Sequence, residues 1–300
     1  MASVRVGISL EKGRNDLSDL PAKLDEIEAF GVDCIELPVY DMDLIVGCRP
    51  FKPHMDVVKA ACSRRKVAYT VHGPLAINLM DVPERCPLHF EVLLAALDVS
   101  AELGAVHYVL HTGFRRKGWP GMLEEAYARQ REWLARAGEE ARKRGILICV
   151  ENLFDWEWGP LETASASRLA AEVAKVGHPG VRATIDFGHA QLECGSRGGD
   201  LVAEVKALAP HACHLHIHDG FGRPDDVYMY TEGERLAYGH GDLHLPVGWG
   251  STPWQAILAE CTFPAGVVFN VELNPRHWHH AKATVEATRA MAARARTGNA

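Results

Sequence analysis

Short runs rich in Val and Ile recur along the whole chain, and a segment with helical periodicity follows each of them. Apolar runs of this length between helical segments are typical of buried parallel strands. Eight such runs are present: VRVGISL from Val4, DCIELPV from Asp33, KVAYTVH from Lys66, AVHYVLH from Ala105, ILICVEN from Ile146, VRATIDF from Val181, CHLHIH from Cys213 and VVFNVEL from Val267.

The segments between the runs have the start and stop residues of helices. In SDLPAKLDEIEAFG, Asp19 is a candidate N-cap and Gly31 a C-terminal stop. The segments that end at Gly104 and Gly145 stop in the same way. Each predicted strand is therefore followed by a helix that can cover one face of a sheet.

Eight alternations without a linker predict a single α/β domain over residues 1–300, closed as a (β/α)8 TIM barrel. The length agrees, because such barrels need about 250 residues plus insertions. An open, doubly wound sheet is the alternative. No G-x-G-x-x-G motif follows its first strand, which disfavours a dinucleotide site there.

Composition narrows the possible partners and location. The chain is 47% hydrophobic and has a formal charge of −7, so it can bury a large core, and its acidity disfavours nucleic acid. It has no signal-peptide pattern and no apolar run of about 18 residues, so we expect no membrane association. Eight cysteines without a C-x-x-C pair indicate reduced thiols in a cytoplasmic protein. The sequence leaves homo-oligomerisation open.

Metal-ligand residue types stand where six of the predicted strands end. In a TIM barrel the active site forms at the carboxyl ends of the strands. A segment of about thirty residues between the last two strands contains two more residues of metal-ligand type. Loops of that length are usually functional. In chain order the nine residues are His72, His111, Glu151, Asp186, His189, His216, Asp242, His244 and Glu272.

Each of these residues also has an ordinary structural explanation. A single His at a strand end is more often a hydrogen-bonded structural residue, and Asp186 could simply cap the following helix. In the seventh strand His214, His216 and His218 alternate and face one side, so that we expect only one or two of the three to bind metal.

Their joint placement favours a metal centre. Nine such side chains in one pocket would be costly to bury without counter-charge. Imidazole and carboxylate ligands suit Zn, Mn, Fe or Co, and two or three divalent ions would balance four carboxylates. We therefore predict one to three divalent ions per chain.

Four motifs resemble those of the xylose isomerase-like TIM barrel superfamily, which joins sugar isomerases and epimerases with the endonuclease IV family of abasic-site endonucleases. They are ENL at the fifth strand, D-F-G-H at the sixth, H-x-H-D at the seventh and D-x-H-x-x-x-G-x-G in the long loop. The last is matched by Asp242, His244, Gly248 and Gly250. The seventh strand reads HIHD, where the nucleases usually have Asn before Asp.

The resemblance implies two overlapping ligand sets. The single-metal site of the epimerases corresponds to Glu151, Asp186, His216 and Glu272. The additional ligands of the three-zinc nuclease site correspond to His72, His111, His189, Asp242 and His244.

As an isomerase or epimerase, the enzyme would hold two adjacent oxygens of a keto sugar on its metal. Glu151 and Glu272 would then exchange a proton as general base and acid. Candidate substrate contacts are His189, His218, Arg223 and Trp119, and other tryptophans could wall the sugar: Trp156, Trp158, Trp249 and Trp254.

As a hydrolase, the enzyme would use clustered metals to attack a phosphodiester, with Glu151 bridging two of them. This hypothesis uses all nine ligands, but a DNA enzyme normally has a basic stripe. The conspicuous basic runs are 64–66, explained by a solvated helix end, and Arg115-Arg116-Lys117, enough for one phosphate. A binding module with a relic site is disfavoured, because no ligand position is lost.

We therefore expect a sugar or sugar-phosphate isomerase or epimerase that acts on a small sugar-like substrate. The alternative is an abasic-site endonuclease or a small-molecule phosphodiesterase. Acidity and resemblance to the superfamily decide the preference between the two.

Overall fold

The computed structural model describes residues 4–11, 13–116, 118–119, 121–154 and 161–298. Eight parallel strands pair in sequence order and close into a barrel, in which β8 lies beside β1. This confirms the predicted (β/α)8 fold. The strands are β1 Arg5–Ser9, β2 Cys34–Pro38, β3 Ala68–His72, β4 Ala105–His111, β5 Leu147–Glu151, β6 Val181–Asp186, β7 Ala212–Ile217 and β8 Val268–Val271.

Helices surround the barrel, and every helix in the described ranges except Glu232–Tyr238 has buried residues. None of the helices in the described ranges is both long and apolar enough to cross a membrane. They are α1 Leu20–Glu28, α2 Lys52–Cys62, α3 Cys86–Glu102, α4 Leu123–Lys143, α5 Ala166–Val176, α6 Phe187–Arg197, α7 Leu201–Leu208, α8 Glu232–Tyr238, α9 Trp254–Glu260 and α10 Ala281–Ala292.

The long segment between β7 and β8 is more ordered than its sequence suggested. It contains α8, which begins with a capping box: Thr231 Oγ1 accepts the amide of Glu234, and the Glu234 carboxylate accepts the amide of Thr231 at 2.9 Å. No residue of α8 is buried, so the helix has no apolar face for a periodicity argument to detect.

The basic run at 64–66 is also different from the expectation of a solvated helix end. The side chain of Arg65 is only 5% exposed. Its guanidinium contacts the carboxylates of Asp25 and Glu28 on α1, and it donates to the carbonyl of Pro21 at 2.7 Å. Arg65 therefore ties α2 to α1 and is not available to bind a phosphate.

A buried carboxylate joins the outer helices α4 and α5. Glu172 of α5 contacts Arg131 of α4, and two cations of its own helix lie close, Arg168 at 3.0 Å and Lys175 at 3.1 Å. The Glu172 side chain is 1% exposed, so its charge depends on these partners. Removing one member of a buried ionic group leaves the others uncompensated, and this costs more than losing an exposed pair.

We expect Glu172→Gln to lower the free energy of unfolding by about 1–3 kcal/mol, because the neutral amide no longer balances the cations around it. The matched control is Glu139→Gln on α4: this carboxylate is exposed where it contacts Arg142, so the free energy of unfolding should stay almost unchanged. Urea unfolding of both variants measures the difference. An equal loss of stability in the two variants would contradict the conclusion that the buried Glu172 stabilises the contact between α4 and α5.

Candidate metal centre and active site

Glu151, the last residue of β5, lies among four imidazoles. Its Oε2 is 3.2 Å from Nε2 of His72 and 3.6 Å from Nε2 of His111. Its Oε1 is 3.3 Å from Nδ1 of both His189 and His216. The carboxylate is 1% exposed. Four predicted ligands from four different barrel segments therefore converge on a single buried charge.

His216 of β7 brings together the other acids of the predicted inner site. Its Nδ1 lies 3.3 Å from Glu272 Oε2 and 3.7 Å from Asp186 Oδ2, besides its contact with Glu151. These residues lie at the carboxyl ends of β5, β6, β7 and β8, which are neighbours in the barrel. Parallel strands end at one face, and this is why residues far apart in sequence meet here.

The loop residues Asp242 and His244 join the same cluster. Asp242 Oδ2 is 2.8 Å from Nε2 of His244 and 3.4 Å from Nε2 of His189. His244 Nδ1 lies 3.8 Å from Glu272 Oε2, and its ring stacks on that of His218 with a centroid separation of 4.0 Å. All nine predicted ligands thus belong to one connected group.

The ENL and D-F-G-H motifs fix each other's backbone. The Asn152 side chain donates to the Asp186 carbonyl at 2.9 Å and accepts the Asp186 amide at 3.0 Å. Asp186 caps α6 by accepting the amide of His189 at 2.7 Å. It therefore serves both as the helix cap considered from sequence and as a member of the cluster. A Cβ on Gly188 would lie 2.2 Å from the His218 ring, so this position has room only for glycine.

Asp219, the acid of the H-x-H-D motif, holds the long loop in place. Its carboxylate accepts the amides of Gly248 at 2.8 Å and Thr252 at 3.2 Å. A Cβ on Gly250 would lie 2.4 Å from Asp219 Oδ1 and 2.2 Å from the carbonyl of Gly220. Gly248 has φ +93°, a backbone conformation that residues other than glycine rarely adopt. The G-x-G of the loop motif is therefore a requirement of backbone packing around Asp219.

Mutual compensation sets the protonation of the cluster. Burial by itself would raise the pKa of Glu151, but the surrounding imidazoles, chiefly His216, hold that pKa well below its usual range. Burial would lower the pKa of His216, but the carboxylates of Glu272 and Glu151 hold it well above. Burial lowers the pKa of His111 to about 3, so its imidazole is neutral and able to bind a metal.

The residues present fit divalent cations. Among the described residues, Asp242 Oδ1 and His218 Nδ1 are buried without a hydrogen-bond partner. Several sets of three ligand atoms lie within 4.8 Å of one another. Nitrogen and oxygen donors in this mixture suit Zn, Mn, Fe or Co. Four sets belong to the predicted cluster: Glu151, Asp186 and His216; His72, His111 and Glu151; His72, His216 and Glu272; and His218, His244 and Glu272. A fifth lies deeper in the barrel and consists of Glu36, His214 and His216.

Two predicted substrate contacts have neighbours outside this group. Arg223 donates to the carbonyl of Tyr238 at 2.7 Å and lies over the ring of Phe221. The Trp119 ring lies under the guanidinium of Arg85, 5.3 Å from its centroid. These neighbours of Arg223 and Trp119 are not members of the cluster.

The other tryptophans predicted to wall the sugar have different surroundings. Trp254 packs on Phe187 and donates to Asp219 Oδ2 at 3.4 Å, so it supports the loop. Trp249 is 45% exposed and packs on His277 and His280. Trp156, Trp158 and Lys117 lie outside the described residues.

Sequence reasoning missed Glu36. This residue of β2 is fully buried in the barrel, 3.0 Å from Nε2 of His214 and 3.2 Å from Nε2 of His216. It accepts hydrogen bonds from Ser9 at 3.0 Å and Asn270 at 3.1 Å. The available signal was one acid inside the otherwise apolar strand CIELP, because a buried charge requires partners.

Several solved structures share this fold. A D-tagatose 3-epimerase-like protein is 20% identical with a TM-score of 0.71 and covers 96% of this chain and 98% of its own. The 3-keto-D-glucoside 4-epimerase YcjR of E. coli is 15% identical with a TM-score of 0.67, covering 96% and 100%. The TTHB071 protein of Thermus thermophilus, soaked with ZnCl2, is 22% identical with a TM-score of 0.65, covering 98% and 100%.

At the sequence level, the uncharacterized protein MJ1311 of Methanocaldococcus jannaschii is 27% identical over 173 residues. That match spans 57% of this chain and 57% of the relative. Residues 24–294 match the family described as xylose isomerase-like TIM barrel, from the first helix to the last. Since that match takes in all the strands except the first together with the ligand cluster, the chain belongs to the xylose isomerase-like TIM barrel family.

Proposed function

We propose that the protein is a divalent-metal-dependent isomerase or epimerase that moves a proton at a carbon next to the carbonyl of a sugar or sugar phosphate. The observation that carries the proposal is a pair of carboxylates, Glu151 and Glu272, each 3.3 Å from Nδ1 of His216. The names of structural neighbours, which include two sugar epimerases or epimerase-like proteins, support the substrate class.

Four residues would hold the catalytic cation: Glu151, Asp186, His216 and Glu272. When bound, a divalent cation polarises a carbonyl as a Lewis acid and orients neighbouring oxygens. His216 must give up a proton to ligate, so metal binding and protonation compete at this imidazole. The structural neighbour soaked with ZnCl2 supports the choice of Zn²⁺ as a first metal to test.

The two glutamates would perform the proton transfer. One ionised carboxylate removes the proton from the carbon next to the carbonyl, and the other carboxyl group returns a proton to the opposite face, which inverts that carbon. The low pKa of Glu151 keeps it ionised and able to accept a proton. Glu272 is 14% exposed against 1% for Glu151, so Glu272 is the more open to substrate.

Substrate hydroxyls would contact His189 and His218, which line the same cluster. His189 is held by its Nδ1 at 2.9 Å from the Asn152 carbonyl, and this leaves Nε2 on the side of Asp242. Arg223 and Trp119 stay proposed contacts to a phosphate and to the sugar face, although the neighbours described for them, the Tyr238 carbonyl and Arg85, lie outside the cluster.

A second candidate is a phosphodiester hydrolase. The observation that favours it is the number of ligand-type side chains beyond the inner four: His72 and His111 contact Glu151, and Asp242 contacts His189 and His244. Clustered cations stabilise both the attacking and the leaving oxygen of a displacement. This candidate uses residues to which the proton-transfer mechanism assigns no chemistry.

We expect Glu272→Gln to lower kcat by about 10²–10⁴, because the amide cannot carry the proton. Turnover of keto sugars and their phosphates, and uptake of solvent deuterium at carbon, measure the loss. The control is Glu286→Gln, at an exposed position on α10, which we expect to keep the wild-type rates of turnover and of deuterium uptake. Deuterium uptake at the wild-type rate in Glu272→Gln would refute the proton-transfer role.

His244→Ala separates the two candidate functions. Proton transfer on the inner four ligands predicts that turnover stays within about tenfold, whereas clustered-metal hydrolysis predicts a loss of about 10³ or more. Elemental analysis of wild-type protein is the companion measurement: one ion per chain supports proton transfer, and three support hydrolysis. The exposed His279→Ala is the control. Metal-dependent nicking of abasic-site duplex DNA would overturn the isomerase proposal.

A further inference from the structure

A second polar layer lies inside the barrel, beneath the metal centre. At its middle Glu36 of β2 is fully buried, between two imidazoles of β7. Its Oε1 is 3.2 Å from Nε2 of His216, and its Oε2 is 3.0 Å from Nε2 of His214. Neither ring nitrogen is aligned for a full hydrogen bond among the described residues, so these are short electrostatic contacts.

The other neighbours of Glu36 also have hydrogens to donate. Ser9 Oγ lies 3.0 Å and Asn270 Nδ2 3.1 Å from Oε1, and Thr70 Oγ1 lies 3.3 Å from Oε2. An ionised carboxylate only accepts. The two imidazoles must therefore present Nε2–H to Glu36, because a lone pair facing a buried carboxylate would be repelled.

This determines the ligand atom of His216. To bind a metal, His216 must be a neutral imidazole with one N–H and one lone pair, so a hydrogen on Nε2 leaves the lone pair on Nδ1. Nδ1 is the atom that faces Glu151, Glu272 and Asp186, at 3.3, 3.3 and 3.7 Å. Nε2 of His216 thus faces Glu36, and Nδ1 of the same ring faces the three acids of the metal centre.

We propose that Glu36 is a positioning residue that fixes the Nε2–H tautomer and the orientation of His216, so that Nδ1 binds the metal. The proposal rests on the metal-dependent function put forward above and deepens it. Carboxylates that hold the distal nitrogen of a metal-bound imidazole contribute about 10–100-fold to metal affinity. Glu36 acts through His216 and has no contact with substrate in this scheme.

The same hydrogen assignment gives His214 a separate role. Because its Nε2–H faces Glu36, its Nδ1 must accept, and Nδ1 of His107 lies 3.4 Å away. Burial keeps the pKa of His107 low, at about 3, so that ring is neutral and donates from Nδ1. His107 and His214 therefore support Glu36 from the amino-terminal side of the barrel. Of the two β7 imidazoles, only His216 presents a nitrogen to Glu151, Asp186 and Glu272.

Metal affinity tests the proposal. The protein is stripped of metal with a chelator, and its dissociation constant for Zn²⁺ is measured by competition with a chromophoric chelator. We expect Glu36→Gln to raise that constant about 10–100-fold. Thr70→Val is the matched control, because it removes another contact of the same carboxylate and leaves the His216 contact in place. We expect the dissociation constant of Thr70→Val for Zn²⁺ to stay within about threefold of the wild-type value.

Folding of Glu36→Gln is checked by circular dichroism, and a measurement on wild-type protein covers the case in which it does not fold. Long-range ¹H–¹⁵N NMR of the Zn²⁺ form should show His216 with hydrogen on Nε2 and metal on Nδ1. Metal on Nε2, or a folded Glu36→Gln that binds Zn²⁺ within about threefold of wild type, would overturn the role of Glu36. Wild-type protein that binds no Zn²⁺ would instead overturn the metal-dependent function itself.

Discussion

The central physical constraint in this protein is the burial of negative charge at the carboxyl end of the barrel. Glu151 and Asp186 are almost fully buried, where an uncompensated carboxylate would be prohibitively costly. Imidazoles from several strand ends provide the compensation, and they hold the pKa of both acids well below the usual range against the effect of burial. Any cation that enters the site takes over a balance that the histidines already maintain.

Rigid backbone supports this cluster on two sides. On one side Asn152 and Asp186 exchange hydrogen bonds, and the strand ends of β5 and β6 are thereby locked together. On the other, Asp219 gathers amides of the long loop, and this brings Asp242 and His244 over the mouth. Gly188 and Gly250 allow a close approach that any side chain would prevent, and Gly248 adopts a positive φ. The motif residues that are not predicted to bind metal are therefore as necessary to the geometry of the site as the predicted ligands.

The barrel interior is arranged in layers with different tasks. The upper layer holds the ligand-type side chains, and the layer below holds Glu36 with the polar groups that donate to it. Because His216 contacts both layers through its two nitrogens, it couples the hydrogen bonding of the barrel core to the site. A TIM barrel interior is ordinarily filled by branched apolar side chains, so polar residues at this depth indicate a functional requirement.

Strand periodicity and the positions of strand ends are local properties, so the eight strands, the closed barrel and the nine ligand-type residues could be predicted from the sequence. Which of these side chains touch, and which nitrogen of His216 faces the acids, could be read only from the folded chain. It also revealed Glu36 and the buried Arg65, whose roles depend on partners from distant strands and helices. Contacts across the barrel follow from strand order and register, and no window of the sequence contains that information.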